Sequence, residues 1–448
     1  HDWSRVLAEV SLLNVPFDPL LLDKVQAYRQ AESITGFFIP TQGVETSAQW
    51  PWYALFHGIN TVWIDRPDAA MESLSQEFQV IRQGLDVLLD TADSVPAQLA
   101  IYENTATRLS LDEAGLEALR SAQQSLVDAL QSAGVAYTFV SYTHLLDTGL
   151  SAYRVVVLPQ VHALSMEEDV LLAQYVEQGG RLLADTLPGT LDENGQGVQE
   201  ARDLRGKVTL YSLKEGFQEV ATDFDLPSTH PTPVKKMTGD SKLHWFHHRY
   251  GEAELYSVLR YDDKSSLLAL HIPEGFWGYD LLEGQGSQKS HTYTDLITPT
   301  LNDAGAGMVA YLPYRVSRLI LELPEEISLG KRLNYSVTLK TFDALPGDHI
   351  LFVRLLDDRG HSLKHYEHTV DYHAGEKNAE GYLPLALNET RGRYTLEVRD
   401  LLTGVSVSQV IDIPSIPPDE GPENKGRIVE RKEKASVERV PNDTKLDE

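Results

Sequence analysis

The hydrophobic positions in residues 1–95 change between short apolar runs and helical spacing. Apolar runs at Ile34–Ile39 and Thr61–Ile64 predict two buried strands. Residues 49–57 predict a helix between them, and apolar side chains three and four residues apart from Leu74 to Leu89 predict an amphipathic helix. The order strand, helix, strand, helix is typical of a parallel α/β sheet or barrel.

Residues 96–205 repeat this pattern more regularly. Ser110 with Glu113 and Ser165 with Glu168 have the spacing of capping boxes, each at the start of a predicted helix. Four apolar runs predict strands: residues 98–102, 135–140, 153–158 and 181–184. This alternation predicts a doubly wound open sheet that is flavodoxin-like in its order of elements.

The second half of the chain changes to the two-residue alternation of β-strands. Residues 206–320 contain short alternating runs separated by Gly and Pro, which predicts a β-rich domain. The spacing of strands and turns in residues 321–413 favours an immunoglobulin-like β-sandwich. Residues 414–448 combine many Pro and charged residues with no aromatic, so we expect a disordered tail. The fold class predicted is thus multidomain α/β plus β.

Composition narrows the classes of partner. The 448 residues are enough for about three domains. The formal net charge of −27 makes nucleic acid and anionic membrane surfaces poor partners, and no apolar run is long enough to span a bilayer. The chain has no cysteine, which excludes disulfides, thiolate metal sites and a cysteine nucleophile but leaves the redox compartment open.

Two acidic residues follow the predicted strands of the first segment. Glu45 lies beyond Ile34–Ile39, and Asp65 lies at the end of Thr61–Ile64. Barrel enzymes carry their catalytic groups at the carboxyl ends of strands, and glycoside hydrolysis needs a pair of carboxylates. Glu45 and Asp65 are therefore candidate catalytic residues, and the alternative is that both are loop carboxylates of an acidic protein.

Aromatic residues cluster near these acids, and Trp50, Trp52 and Trp63 are candidates for a platform on which a sugar ring stacks. A role in the hydrophobic core is the alternative. The one cluster of histidines along the sequence is His244, His247 and His248. On a strand, His244 and His248 share a face and His247 points away, which suits a metal poorly. We expect no metal and no cofactor, since no phosphate-binding glycine loop or serine elbow is present either.

Residues 96–195 resemble the trimerisation domain of family 42 β-galactosidases, itself a relative of class I glutamine amidotransferases. The motifs that carry the resemblance are Leu126–Leu130, Gly134–Val140, Tyr153–Pro159, Ala163–Glu168, Tyr175–Gly180 and Ala184–Asp185. The pieces around it occur in the family's order: Trp50–Ile64 is similar to the last helix and strand of the (β/α)₈ barrel. Gly278–Leu281, Tyr311–Val316, Gly392–Leu396 and Thr403–Gly404 are similar to the β domains of large bacterial members.

The resemblance departs from the family in two respects. About 250 residues make a complete barrel, and only some 95 precede the flavodoxin-like part, so the family's general acid is missing. The family's nucleophile Glu ends the seventh strand, whereas the matching stretch Phe37–Gly43 has no carboxylate before Glu45. Amidotransferase chemistry is excluded because it needs a cysteine thiolate.

These observations lead to a hypothesis with five segments: 1–95, a barrel end; 96–205, the trimerisation domain; 206–320, β-rich; 321–413, the sandwich; 414–448, the tail. Because the chain begins at His1 without a Met or a signal-like segment, we expect a processed product or a fragment. The resemblance implies the C-terminal portion of a retaining glycoside hydrolase, inactive alone, with an oligosaccharide or galactoside substrate, a homotrimeric state and a periplasmic or extracellular location. The alternative is a non-catalytic glycan-binding or scaffolding protein with a degenerate barrel.

Overall fold

A computed structural model describes most of the chain between residues 12 and 413. The described residues are 12–15, 20, 23–24, 27, 34–39, 48–59, 61–64, 71–133, 135–198, 204, 206–211, 233–236, 243–260, 268–282, 296–342 and 344–413. Glu45, Asp65 and the predicted tail 414–448 lie outside these residues. For the strands at 12–15, 34–39, 61–64 and 233–236 the backbone alone is described.

The described part of the first segment contains a parallel sheet, a helix between its second and third strands, and two helices after it. Its strands are β1 (Leu12–Val15), β2 (Ile34–Ile39) and β3 (Thr61–Ile64), in that order across the sheet. Its helices are α1 (Trp50–Phe56), α2 (Met71–Ile81) and α3 (Leu85–Thr91). The single helix predicted from Leu74 to Leu89 is wrong, because Gly84 interrupts it at φ +104°. A Cβ at Gly84 would lie 2.6 Å from Cδ1 of Leu401, so Leu401 packs directly against this break.

The second segment is a five-stranded parallel sheet with helices on both faces. The strands are β5 (Leu99–Glu103), β6 (Tyr137–Ser141), β7 (Val155–Leu158), β8 (Arg181–Ala184) and β9 (Val208–Leu210). Their spatial order is β6-β5-β7-β8-β9, and every pairing is parallel. The helices are α4 (Thr105–Ser110), α5 (Glu113–Ala133), α6 (Tyr142–Asp147) and α7 (Met166–Glu177). Side chains that alternate along the strands enter two separate hydrophobic clusters, one on each face, as a doubly covered sheet requires.

One of the two predicted capping boxes is present. The Ser165 hydroxyl accepts from the Glu168 amide, and the Glu168 carboxylate accepts from the Ser165 amide. The box predicted at Ser110 is wrong, since its hydroxyl donates to the Thr107 carbonyl instead. The side chain of Asp112 accepts from the Gly115 amide at the start of α5.

The second half of the chain is made of antiparallel strands. One sheet has the order β14-β16-β12-β11-β4 and another β10-β13-β15. Their strands are β4 (Asp93–Ser94), β10 (Pro233–Lys236), β11 (Leu243–Tyr250), β12 (Ala253–Arg260), β13 (Leu268–His271), β14 (Trp277–Asp280), β15 (Leu296–Ile297) and β16 (Ala306–Leu312). The short β4 comes from the sequence before the parallel sheet and pairs with β11, which joins the two parts of the chain.

The last described part contains two further sheets, β17-β18-β21 and β20-β19-β22-β23. Their strands are β17 (Val316–Glu322), β18 (Arg332–Thr341), β19 (His349–Leu356), β20 (His368–Tyr372), β21 (Ala379–Pro384), β22 (Gly392–Asp400) and β23 (Ser406–Ile413). One hydrophobic core runs from α1 through the β14-β16-β12-β11 sheet into these sheets. No helix among the described residues is long and apolar enough to cross a membrane.

Candidate functional site

Three segments that are far apart in the sequence bring an aspartate and two histidines together. His57 follows the last turn of α1, His244 is the second residue of β11, and Asp23 lies in the N-terminal segment. All three side chains are buried. One ligand atom from each lies within 4.8 Å of the others. We call this group the Asp–His cluster.

The ring of His57 is fixed on both edges. Its Nδ1 lies 2.9 Å from the carbonyl oxygen of Tyr53, one helical turn earlier, and a carbonyl can only accept, so Nδ1–H donates. Its Nε2 lies 2.9 Å from Oδ1 of Asp23. The Tyr53 ring stacks on the imidazole at 4.3 Å between centroids. The Nε2 atom is thereby aimed at the carboxylate by contacts of the helix itself.

The other members of the cluster are held in the same way. Oδ2 of Asp23 accepts the Tyr137 hydroxyl at 2.5 Å, which leaves Oδ1 facing the two histidines. Nε2 of His244 lies 3.7 Å from that Oδ1, and its ring stacks on Phe246 at 4.7 Å. Each functional atom therefore has a second contact that sets its direction.

Burial and neighbouring charge set the ionisation of these groups. Burial by itself would raise the pKa of Asp23, but His244, His57 and the Tyr137 hydroxyl outweigh it and lower this pKa below its usual range. Burial lowers the pKa of His244 to about 4, against the attraction of Asp23. Burial thus favours the neutral form of the His244 imidazole, while the neighbours of Asp23 favour its ionised carboxylate.

A cavity of about 380 Å³ lies beside the cluster, at the junction of the parallel sheet and the antiparallel sheet. Its lining includes Asp23, Tyr137, Phe139, His244, Trp245 and His248. This volume lies within the range of small-molecule sites. The described residues thus place a carboxylate and imidazole nitrogens at the wall of a space that a small ligand or several waters can enter.

The histidines of β11 alternate between its two faces as the sequence predicts. His244 in addition has partners from other parts of the chain. His244 and His248 are buried and His247 faces the other way, where its Nε2 lies 2.7 Å from Oε2 of Glu254. Burial lowers the pKa of His248 to about 4, and its Nδ1 has no hydrogen-bond partner among the described residues. The histidine strand alone could not reveal the Asp–His cluster, because the partners of His244 are 187 and 221 positions away in the sequence (244 − 57 and 244 − 23).

The residues proposed from sequence are placed differently. Trp50 and Trp52 lie in the core, 5% and 0% exposed, and Trp52 Nε1–H donates to Oε2 of Glu77 at 2.5 Å. A sugar platform needs an exposed ring face, so the burial of these two rings agrees with the core alternative. Trp63 lies in β3, where the backbone alone is described, and the candidate acids Glu45 and Asp65 lie outside the described residues.

Part of the chain matches a known protein family. Residues 104–203 match the family model of the β-galactosidase trimerisation domain. Over 69% of this chain, the fold is similar to that of a catalytic mutant of a GH42 β-galactosidase from G. stearothermophilus, with a TM-score of 0.52, 12% identity and coverage of 60% of that chain. This chain is similar to the family 42 β-galactosidases. It spans about 60% of the length of that relative.

Two other structures show weaker likeness to this chain. A β-galactosidase from Bacillus circulans sp. alkalophilus has a TM-score of 0.47 and 11% identity, over 67% of this chain and 63% of its own. An exo-carrageenase of GH42 from Bacteroides ovatus has a TM-score of 0.47 and 12% identity, over 65% of this chain and 43% of its own. No curated protein matches the sequence.

The segment similar to the β-galactosidase trimerisation domain contains a second polar group, at the carboxyl edge of its sheet. Oε1 of Glu168 accepts from the Tyr102 hydroxyl and, at 2.7 Å, from Nδ2 of Asn104. Gln160, at φ +53° after β7, donates its backbone N–H and its side-chain amide to the two oxygens of Asp185, both at 2.7 Å. Burial and the Glu168 carboxylate raise the pKa of Tyr102 well above its usual value, so it stays a donor. These contacts satisfy one another and offer no nucleophile.

Proposed function

We propose that this chain is the C-terminal portion of a family 42 glycoside hydrolase that acts on a galactoside. The match of residues 104–203 to the β-galactosidase trimerisation domain carries the proposal. The fold likeness to a GH42 β-galactosidase over 69% of this chain supports it, because it extends beyond the matched segment.

The proposed domains follow the described sheets. The parallel β1-β2-β3 sheet with α1 between its second and third strands supports a barrel end in residues 1–95. The order β6-β5-β7-β8-β9 is 2-1-3-4-5 along the chain, which supports a flavodoxin-like domain in 96–205. The β17-β18-β21 and β20-β19-β22-β23 sheets share one core and support a sandwich in 321–413, after a β-rich domain in 206–320.

The candidate acids belong to this proposal through the strands that precede them. β2 and β3 are parallel neighbours, and their last residues Ile39 and Ile64 lie opposite one another. The strands that precede Glu45 and Asp65 in sequence therefore end at the same edge of the sheet, where barrel enzymes place catalytic carboxylates. In this proposal Glu45 is the candidate nucleophile, and the missing barrel strands supply its partner.

This chain alone is expected to show no turnover of a chromogenic galactoside. A longer protein, in which further strands complete the barrel, is expected to hydrolyse it. A retaining enzyme needs two carboxylates about 5 Å apart, on different strands. Turnover by the chain alone that Glu45→Gln abolishes would contradict the first expectation and identify Glu45 as the nucleophile. If the protein with a complete barrel is inactive but retains galactoside affinity, the glycan-binding alternative replaces the enzyme.

A homotrimer is the second part of the proposal, and exposed apolar side chains support it. Six lie on segments that follow the carboxyl ends of the first four strands of the parallel sheet: Leu109, Leu116, Leu146, Met166, Val170 and Leu187. Leu109 is 82% exposed and Met166 63%. These residues come from separate helices and loops, so no single helix carries them as a continuous apolar stripe. Apolar side chains exposed on segments at the carboxyl edge of a sheet are candidates for contact with a partner.

The double substitution Leu109→Ser with Met166→Ser is expected to convert the trimer into monomers, because it removes the two most exposed apolar side chains of this edge. Light scattering gives the mass, with the 50.0 kDa chain as the unit. Leu345→Ser is the matched control, since Leu345 is 83% exposed but lies in the sandwich, and it should leave the trimer intact. A monomeric parent chain would refute the trimer for this protein.

A further inference from the structure

We propose that the Asp–His cluster is a binding site for Zn²⁺, with Oδ1 of Asp23 and Nε2 of His57 and His244 as its ligands. This inference is independent of the proposed glycoside hydrolase function, because none of the three residues lies in the segment matched to the trimerisation domain.

The hydrogen bonds of His57 determine which of its ring nitrogens can bind a cation. Its Nδ1–H donates to the Tyr53 carbonyl, so in the neutral ring Nε2 carries an electron pair and no proton. That electron pair faces Oδ1 of Asp23 at 2.9 Å, which is itself an acceptor. Two acceptors cannot stabilise one another, and a cation between them removes the conflict. The cation is either a proton, giving an imidazolium, or a metal ion.

A third possible ligand atom lies close to the same carboxylate oxygen. Nε2 of His244 lies 3.7 Å from Oδ1 of Asp23, too far for a hydrogen bond. Ligands at zinc distances of about 2.0–2.2 Å from a tetrahedral ion lie about 3.3 Å apart, and the separations of 2.9 and 3.7 Å fall on either side of this value. A single proton serves one pair of atoms, whereas a metal ion serves all three.

The groups that hydrogen-bond the proposed ligands also fit a metal site. Metal-binding histidines commonly donate their other nitrogen to a backbone carbonyl, and metal-binding carboxylates are themselves hydrogen-bonded. His57 donates to Tyr53, and Tyr137 donates to the second oxygen of Asp23. Two imidazoles with one carboxylate suit Zn²⁺ better than Mg²⁺ or Ca²⁺, which prefer oxygen. The adjacent cavity of about 380 Å³ leaves room for a water as the fourth ligand.

The test is zinc binding by the purified chain, freed of metal with a chelator and titrated with ZnCl₂. One equivalent is expected to bind with an increase in Tm that the chelator reverses. His57→Ala, His244→Ala and Asp23→Asn should each weaken binding at least about 100-fold, and Tyr137→Phe, which leaves every ligand in place, about 10- to 100-fold. His248→Ala is the matched control: His248 lies on the same strand face, equally buried at 6%, outside the cluster, and its loss should leave zinc affinity unchanged.

Two results would overturn the proposal. If the parent chain binds no zinc and its Tm does not change, the three side chains form a hydrogen-bonded structural group and hold no metal. If zinc binds equally well to His57→Ala and His244→Ala, the metal sits elsewhere on the chain. Should the alanine variants fail to fold, X-ray absorption of the zinc-loaded parent chain decides. A shell of two imidazoles with oxygen ligands supports the site, and a shell of oxygen alone refutes it.

Discussion

Replacing Asp400 by alanine is expected to lower the free energy of unfolding of the C-terminal sheets by about 2–6 kcal/mol, since each of two buried donors that lose their acceptor costs about 1–3 kcal/mol. Asp400 and His349 are both completely buried. Oδ1 of Asp400 accepts Nδ1–H of His349 at 2.9 Å, and Nε2 of His349 accepts the Tyr314 hydroxyl at 3.0 Å. Thr403 donates its hydroxyl to Oδ2 of Asp400, and the Gly347 amide donates to the Tyr314 hydroxyl at 2.8 Å. Alanine removes the acceptor of the His349 Nδ1–H and of the Thr403 hydroxyl.

Urea unfolding followed by circular dichroism measures this loss as a shift of the transition midpoint at constant slope. Asp412→Ala is the matched control, because Asp412 lies on the neighbouring strand β23 and pairs with Arg393 at the surface, with both side chains about 70% exposed. Exposed pairs contribute little, so its midpoint should stay close to that of the parent chain. Equal shifts for the two variants would show that the buried network does not stabilise these sheets.

Replacing Glu168 by alanine is expected to destabilise the parallel sheet by about 2–6 kcal/mol, since each of the two buried donors, on Tyr102 and Asn104, costs about 1–3 kcal/mol when left unpaired. The carboxylate holds the Tyr102 hydroxyl, the Asn104 amide and the Ser165 backbone N–H. Glu168→Gln keeps one acceptor oxygen for Tyr102 and Asn104, but its NH₂ group then faces the Ser165 amide. We expect its loss of stability to be intermediate.

Thermal unfolding of the three proteins measures this order, with Glu167→Ala as the control. Glu167 precedes Glu168 in the first turn of α7, where the helix dipole acts on both, but it is exposed and bonds only the Tyr142 hydroxyl among the described residues. Its substitution should change Tm little. A Glu167→Ala effect as large as that of Glu168→Ala would assign the stabilisation to the charge at the helix end rather than to the buried contacts.

Local sequence patterns predicted the elements whose causes are local. The Ser165 capping box formed because the hydroxyl and the carboxylate that complete it are three residues apart on one helix turn. His244 and His248 share a buried face because strand side chains alternate, whatever packs on them. The paired capping residues at Ser110 failed for an equally local reason, since Asp112 lies closer to the start of α5 and accepts the Gly115 amide.

The sequence by itself determined the alternation of helices and strands, the change from α/β to β in the second half, and the resemblance to family 42 β-galactosidases. Those features depend on hydrophobic period and on residues that are neighbours along the chain. The tertiary structure alone decided that α2 and α3 separate where Leu401 packs on Gly84, and that β4 joins the β11 sheet. It also alone brought Asp23 and His57 to His244. No sequence pattern records such contacts, because they join residues separated by 34 to 317 positions (57 − 23 and 401 − 84), and only packing of whole elements brings them together.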